Sequence, residues 1–199
     1  LIKRRDFMSK GLKITLIVSG ILLILLLLVL KWGISGYNKV ITMDEGVKSQ
    51  WAQVENQLKR RYDLIPNLVE TVKGYAAHEK DLFKYIADAR TKYFQANSVK
   101  DKIQASKNLE GVLSRLLMLQ EQYPQLKANE SFLKLQDSLE GTENRIAVER
   151  KRYNETVQIL NTYRRTFFGR FIASFAGVPE AAYYEVPGAE KETPKVKFD

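Results

Sequence analysis

The sequence contains no cysteine and a single histidine, His78, in 199 residues. Without thiols there is no disulfide, no thiolate nucleophile, no cysteine zinc site and no lipidation thiol. His78 stands beside Glu79, but a zinc helix needs a second histidine and the chain has none. His78 therefore reads as a surface or helix-end residue. Glycine and proline are also sparse, 11 and 5 residues, and turn clusters are few. No phosphate-binding glycine loop, dinucleotide fingerprint or nucleophile elbow occurs. Carboxylates are plentiful but dispersed, so no catalytic pair stands out. These absences leave no cofactor, metal or catalytic site to assign, and a non-enzymatic protein is expected.

Charge is present in both signs, 32 Lys and Arg against 23 Asp and Glu, for a formal net charge of +9. Such an excess raises the question of nucleic acid or an anionic membrane. The basic residues are interleaved with acids, however, and beyond residue 31 a basic run such as Lys59-Arg60-Arg61 is only three residues long. Solvated helix faces beside a membrane account for this pattern, and no nucleic-acid partner is expected.

One long apolar run is present. Between Lys13 and Lys31 lie 17 uncharged residues, 14 of them Ile, Leu or Val. As a helix this is roughly 25 Å, close to the ~30 Å hydrocarbon core, and Lys31 extends it by snorkelling. At about −0.3 to −0.6 kcal/mol per apolar residue, insertion gains roughly 4 to 8 kcal/mol. Ile14, Leu16, Ile21, Leu25 and Leu30 mark the expected anchor, and Trp32 stands where an aromatic belt belongs. A cleaved signal peptide would have a shorter run ending in a small-residue cleavage site. Here the run passes into Lys31-Trp32-Gly33 with no Ala-x-Ala, so an uncleaved single span is expected.

Lys3, Arg4, Arg5, Lys10 and Lys13 precede the span, while Lys31 and Lys39 follow it. The positive-inside rule then places the N-terminus in the cytoplasm and the larger part across the bacterial inner membrane, on the periplasmic or extracellular side. Met8-Ser9-Lys10-Gly11 also has the form of a start, and counted from there only Lys10 and Lys13 precede the span.

The remainder predicts long helices. Thr42-Met43-Asp44-Glu45 has capping-box form, and Gly33 and Gly36 upstream suggest a short joint between span and body. Val47, Trp51, Val54, Leu58, Ile65, Leu68, Val72 and Tyr75, then Leu82, Ile86, Ala89 and Tyr93, recur at the alternating steps of a bundle seam. Arg61 and Glu79 also occupy seam steps. Pro66 predicts a kink or restart, with Asp63 as its cap. Ser98 is placed to cap a helix carrying Val99, Ile103, Leu109, Leu113, Leu116 and Leu117, which ends before Pro124. Asn129 is placed to cap a last helix whose seam runs through Phe132, Leu135, Leu139, Ile146, Tyr153, Leu160, Tyr163 and Phe167, with Thr142, Glu149 and Thr156 in the intervening steps. Gly141 inside it costs about 1 kcal/mol unless it permits close packing. One kinked rod from Thr42 to Ala96 gives three helices, and a turn near Gly74–Glu79 gives four. With four antiparallel helices the last returns toward the bilayer; with three it points away. The segment Phe167–Gly177 is apolar but too short to span, and reads either as core or as an interfacial or intersubunit contact.

Three stretches carry a family resemblance. Glu55-Asn56-Gln57-Leu58-Lys59-Arg60-Arg61-Tyr62-Asp63-Leu64-Ile65-Pro66-Asn67-Leu68-Val69, continuing through Val72-Lys73-Gly74-Tyr75 and His78-Glu79, resembles the signature segment of bacterial LemA-family proteins. So do Tyr123-Pro124-Gln125-Leu126-Lys127-Ala128-Asn129-Glu130 and Leu139-Glu140-Gly141-Thr142-Glu143-Asn144-Arg145-Ile146-Ala147. The resemblance runs from about Gly36 to Val186. It implies one N-terminal anchor carrying an elongated helical bundle, supplies no catalytic residues, and associates the family with membrane remodelling and with membrane proteases or other envelope proteins.

The expected organisation is all-α: a basic segment 1–13, a transmembrane anchor 14–37, an elongated antiparallel bundle of three to four helices over 38–168, an apolar segment 169–187 and a disordered tail 188–199. The expected function is a membrane-anchored envelope scaffold or self-assembling structural component, with membrane lipid and further copies of the chain as partners. An adaptor or regulator of another envelope membrane protein, such as a protease, is the alternative. Arg60, Arg61, Glu79, Glu149, Phe168, Phe171 and Phe175 are the candidate interaction residues.

Overall fold

The computed structural model describes residues 10–185, which are helical with no strand. The tail expected over 188–199 and most of the basic segment lie outside the described residues. Helix α1 runs Lys10–Lys73, α2 Lys80–Gln95, α3 Val99–Gln122, α4 Glu130–Arg165 and α5 Phe167–Phe175, with a short 3-10 turn over Pro124–Ala128 between α3 and α4.

The first departure from expectation is α1 itself. It passes through Gly33, Gly36, Thr42 and Pro66 without a break, 64 residues or about 96 Å. No joint separates span from body. Thr42 is not a cap, because the turn before it is already helical. Its hydroxyl donates instead to the carbonyl of Asn38 at 2.9 Å, one turn back. Pro66 removes the amide that would have bonded the carbonyl of Tyr62. Arg90 of α2 fills that vacancy, donating its Nε–H to the Tyr62 carbonyl at 3.3 Å. A neighbouring side chain thus repairs the ladder, and no restart at Asp63 is needed. Asp63 faces the same arginine at 3.9 Å.

The chain first reverses at 74–79, where Tyr75 and Ala76 both donate to the Val72 carbonyl at 2.9 Å. This gives the four-helix alternative. Helix α2 descends beside α1, with Tyr93 against Tyr62 at 4.5 Å between ring centroids. Ser98 caps α3, accepting from the Asp101 amide at 3.0 Å, and α3 ascends. Asn129 caps α4, accepting from the Phe132 amide at 2.9 Å, and α4 descends along the whole upper length of α1. Cross-contacts mark the antiparallel register: Asn129 to Tyr75 at the far end, Trp51 to Tyr153 midway, and Tyr163 to the Gly36 carbonyl near the anchor. The last bundle helix therefore returns toward the apolar end of α1.

Packing follows the predicted seams with local substitutions. Val47, Trp51, Val54, Leu58, Ile65, Leu68 and Val72 are buried, and they meet Ile86, Ile103, Leu109, Leu113, Leu116, Phe132, Leu139, Ile146, Tyr153 and Leu160. Tyr62 takes the buried place next to Arg61, while Ala76 replaces Tyr75 because α1 has ended by then. Phe83 is more buried than Leu82, and Leu119 more than Leu117. Phe167 is exposed rather than the end of the α4 seam, since the helix stops at Arg165. The short α2–α3 hairpin covers only the distal part of the α1–α4 pair. Below it the groove between α1 and α4 is closed by α5 and the segment 176–185.

Candidate functional site

Three features distinguish this molecule from a plain bundle: a bare apolar rod, an aromatic corner against it and a polar system inside the seam. The rod is the lower half of α1. Ile14, Leu16, Ile21, Leu25, Leu30 and Trp32 are each more than half exposed, and among the described residues only Trp32 has a ring contact from another element. A helix apolar on every face has no side for water, and its length and composition suit a bilayer. It is the one such helix among the described residues.

The aromatic corner forms where α4 ends. Thr166 is extended and caps α5, accepting from the Gly169 amide at 3.1 Å while donating to the Tyr163 carbonyl at 2.8 Å. Gly169 is required here, because a Cβ would collide with the Tyr163 carbonyl and the Thr166 hydroxyl. Helix α5 then lies beside α1. Phe168 meets Trp32 edge-to-face at 4.8 Å, Ile172 lies over Gly36, and Phe175 faces Tyr37 at 6.3 Å. Gly169 and Ala173 are its buried residues, whereas Phe167, Phe168, Phe171 and Phe175 point outward. Gly33, Ile34 and Tyr37 of α1, with Phe171, Ile172 and Phe175, line an open apolar groove of about 490 Å³. The apolar C-terminal segment is thus neither wholly core nor wholly surface.

After α5 the chain turns back through Gly177, whose φ of +67° suits glycine. Val178 donates to the Ala173 carbonyl at 3.0 Å and Gly177 to that of Ser174 at 3.1 Å, the paired bonds of a Schellman ending. An extended strap follows and is held by side-chain amides of α4. Asn161 donates to the carbonyl of Ala181 and accepts from its amide, at 2.9 and 3.1 Å. Asn154 does the same for Tyr184, at 2.9 and 2.8 Å. Tyr153 donates to the Ala182 carbonyl at 2.8 Å. The strap ends with the Tyr184 ring buried beside Trp51 and its hydroxyl 2.7 Å from Ser106. Sequence reasoning missed Asn154, Asn161 and Tyr184. The available signal was two asparagines one heptad apart on the inner side of α4.

The seam charges are paired within the chain. Arg61 is only 11% exposed and reaches Glu143 of α4 and, at 3.4 Å, Glu110 of α3. Glu149 accepts from Gln50 of α1 at 2.8 Å and pairs with Arg152 at 3.0 Å. Glu79 sits at the start of α2 and accepts from the Tyr123 hydroxyl at 3.4 Å. Arg60, in contrast, is exposed and lines a shallow groove with Arg145. The structure does not gather the candidate interaction residues into one site. Arg61, Glu79 and Glu149 join helices of one chain, and the three phenylalanines belong to the α4–α5 corner beside the apolar rod. Burial pushes the phenols of Tyr62, Tyr93 and Tyr184 well above their ordinary range, and that of Tyr153 up to about 12. Among the described residues no group of three or more histidines and carboxylates is placed to hold a metal.

Residues 50–198 match the sequence profile of the LemA family. The chain is 26% identical over 175 residues to magnetosome protein MamQ 2 of Paramagnetospirillum magneticum, an alignment covering 75% of this chain and 64% of the relative. The same values hold for MamQ 1 of that organism. Magnetosome protein MamQ of Magnetospirillum gryphiswaldense is 23% identical over 174 residues, covering 74% and 64%. The chain thus spans about 64% of the length of these curated relatives. Their names state a location, the magnetosome, and no reaction.

Proposed function

Because the chain belongs to the LemA family, with an apolar helix fit for a single span, we propose that it is a non-enzymatic envelope scaffold that self-assembles at the membrane surface. The observation that carries this reading is the unbroken α1. One helix forms both the anchor and one wall of the bundle. A bundle attached without a joint holds a fixed posture relative to the bilayer, so copies confined to two dimensions present the same faces to one another. Weak lateral contacts then gain from high effective concentration. Val148 and Ile159 are exposed on the outer side of α4, and Met118 on α3, where a neighbouring copy would meet them. Its magnetosome-named relatives suit a role in a membrane-bound assembly. The inner membrane, with the N-terminus cytoplasmic and the bundle on the far side, is the proposed setting.

The second reading is an adaptor for another envelope membrane protein, such as a protease. It is favoured by an open groove of about 920 Å³ on the α2–α3 hairpin, lined in part by Tyr85 and by charges of both signs, Asp88, Lys92, Asp101, Lys107 and Arg115. The test is the mass of the full-length protein in native nanodiscs, with disulfide crosslinking of Val148→Cys and Ile159→Cys variants in intact membranes. A discrete homo-oligomer with crosslinks at these positions supports the scaffold. A monomer in both settings overturns it and favours the adaptor, whose partner proximity labelling would then recover.

A further inference from the structure

We propose that the α4–α5 corner is a second membrane contact, a phenylalanine wedge seated in the lipid interface beside the anchor. The inference rests on α1 crossing the bilayer, as above. Its geometry is a depth ladder. Phe168 packs on Trp32 at 4.8 Å, and so lies at the level where the apolar run of α1 ends. Ile172 packs at Gly36 and Phe175 at Tyr37, so α5 climbs away from that level parallel to α1. From Trp32 to Tyr37 the rise is about 7.5 Å, so the whole of α5 stays within about one and a half helical turns of the end of the apolar run. If α1 spans, Phe168 cannot avoid the interface, because its contact with Trp32 fixes its height.

The chemistry of the corner fits the same occupant. Phe167 stacks edge-to-face on Phe168 and Phe171, at 5.0 and 5.7 Å, giving a compact cluster whose outer surface is exposed among the described residues. Phe175 is 86% exposed, an extreme value for a phenylalanine in water. Cations flank this cluster: Arg170 lies over the Phe171 ring at 5.3 Å, Lys39 over Tyr163 at 5.3 Å, and Arg165 is largely exposed beside Glu180. Exposed aromatic rings with basic groups interspersed among and beside them form an arrangement that an anionic phospholipid interface accommodates. The corner continues the surface of the anchor itself, since Trp32, Gly33, Ile34 and Tyr37 form one face with it. A phospholipid bilayer is therefore its occupant, in preference to a second copy.

The absence of cysteine makes the test direct. Single variants Leu23→Cys, Phe168→Cys, Phe171→Cys, Phe175→Cys and Ile159→Cys carry a nitroxide in the full-length protein, reconstituted in phosphatidylcholine–phosphatidylglycerol liposomes. Power saturation with oxygen and a water-soluble nickel chelate reads depth. The oxygen-to-nickel accessibility ratio should rise in the order 159, 175, 171, 168, 23. A nickel accessibility at 168 and 171 equal to that at 159, with 23 still in lipid, overturns the wedge and leaves the anchor standing. Shielding of 168 from both reagents, with dipolar broadening between labels, also overturns it in favour of a second copy. Nickel access at 23 as well would overturn the anchor reading, and the wedge with it. Each phenylalanine replaced is exposed, so the variants retain the bundle core.

Discussion

The lower and upper halves of α1 are one helix with one hydrogen-bonding pattern, yet they bury their leucines in different places. Leu25 is 52% exposed within the protein, while Leu68 is 0% exposed. Below Lys39 apolar side chains surround the axis; above it they narrow to a seam facing α2, α3 and α4. The difference teaches that the solvent each half expects is written in angular distribution rather than in apolar content. In the proposed setting lipid would complete the lower half, while other parts of the same chain complete the upper half.

The largest effect should come from breaking the lower half. Each arginine near the centre of a span costs about 2.5 to 3.5 kcal/mol, so Leu22→Arg with Leu25→Arg removes roughly 6 to 8 kcal/mol, including two lost leucine contributions. That is comparable to the whole insertion gain, whereas one arginine is not. The double variant should lose integration in a translocon insertion assay, and the single variant Leu25→Arg should largely retain it. The thermal stability of the bundle should be unmoved in both once solubilised in detergent.

Leu68→Ala is the converse. It opens a cavity in a closed core and should cost about 2 to 5 kcal/mol, read as a lowered midpoint in chemical denaturation. Leu25→Ala should leave that midpoint unchanged. Equal losses from both would mean that the two halves are not energetically separate.

Arg61→Ala tests the polar part of the seam. It leaves Glu110 and Glu143 facing one another without their shared cation, and since both remain partly exposed the cost should be about 1 to 3 kcal/mol. Adding Glu143→Gln should recover part of the loss, because the repulsion goes with it. The buried tyrosines give a pH limit to the same region. A buried phenol is stable in its neutral form, so its folded pKa lies above the unfolded value of about 10. Their contribution is complete below pH ~10 and is lost as pH rises through the folded values. Thermal midpoints should fall above pH ~10, and Tyr153→Phe should flatten part of that fall.

What was legible in the sequence was whatever depends on period and composition. The exposed apolar rod, the seams, the Ser98 and Asn129 caps and the all-helical class follow from composition, from residues three and four apart and from cap chemistry. What was not legible depends on residues far apart in sequence. Pro66 predicts a break on local grounds, and only Arg90, contributed by the next helix, supplies the donor that keeps α1 whole. The strap is invisible because Asn154 and Asn161 bond backbone rather than side chains, at positions 20 to 30 residues away. Thr42 misleads for the opposite reason. A cap motif is informative only where the preceding turn is not already helical, and the glycines before it do not interrupt a helix whose other residues favour one.

Gly36 and Gly141 both sit inside long helices, and alanine is favoured over glycine there by about 0.5 to 1 kcal/mol. At Gly141 a new Cβ would meet nothing within 4 Å, so Gly141→Ala should raise the thermal midpoint by the full propensity gain. At Gly36 the Cβ would come within 2.5 Å of Ile172 Cδ1, and α5 is packed there against the top of the anchor. Ile172 can turn its terminal methyl aside, so Gly36→Ala should show little net change in stability. Its consequence should appear instead in the corner, as faster hydrogen exchange across 169–176. A stability gain at Gly36 equal to that at Gly141, with exchange unchanged, would show that α5 rests on the anchor without depending on close approach. The corner would then be positioned by the Thr166 cap and the strap alone.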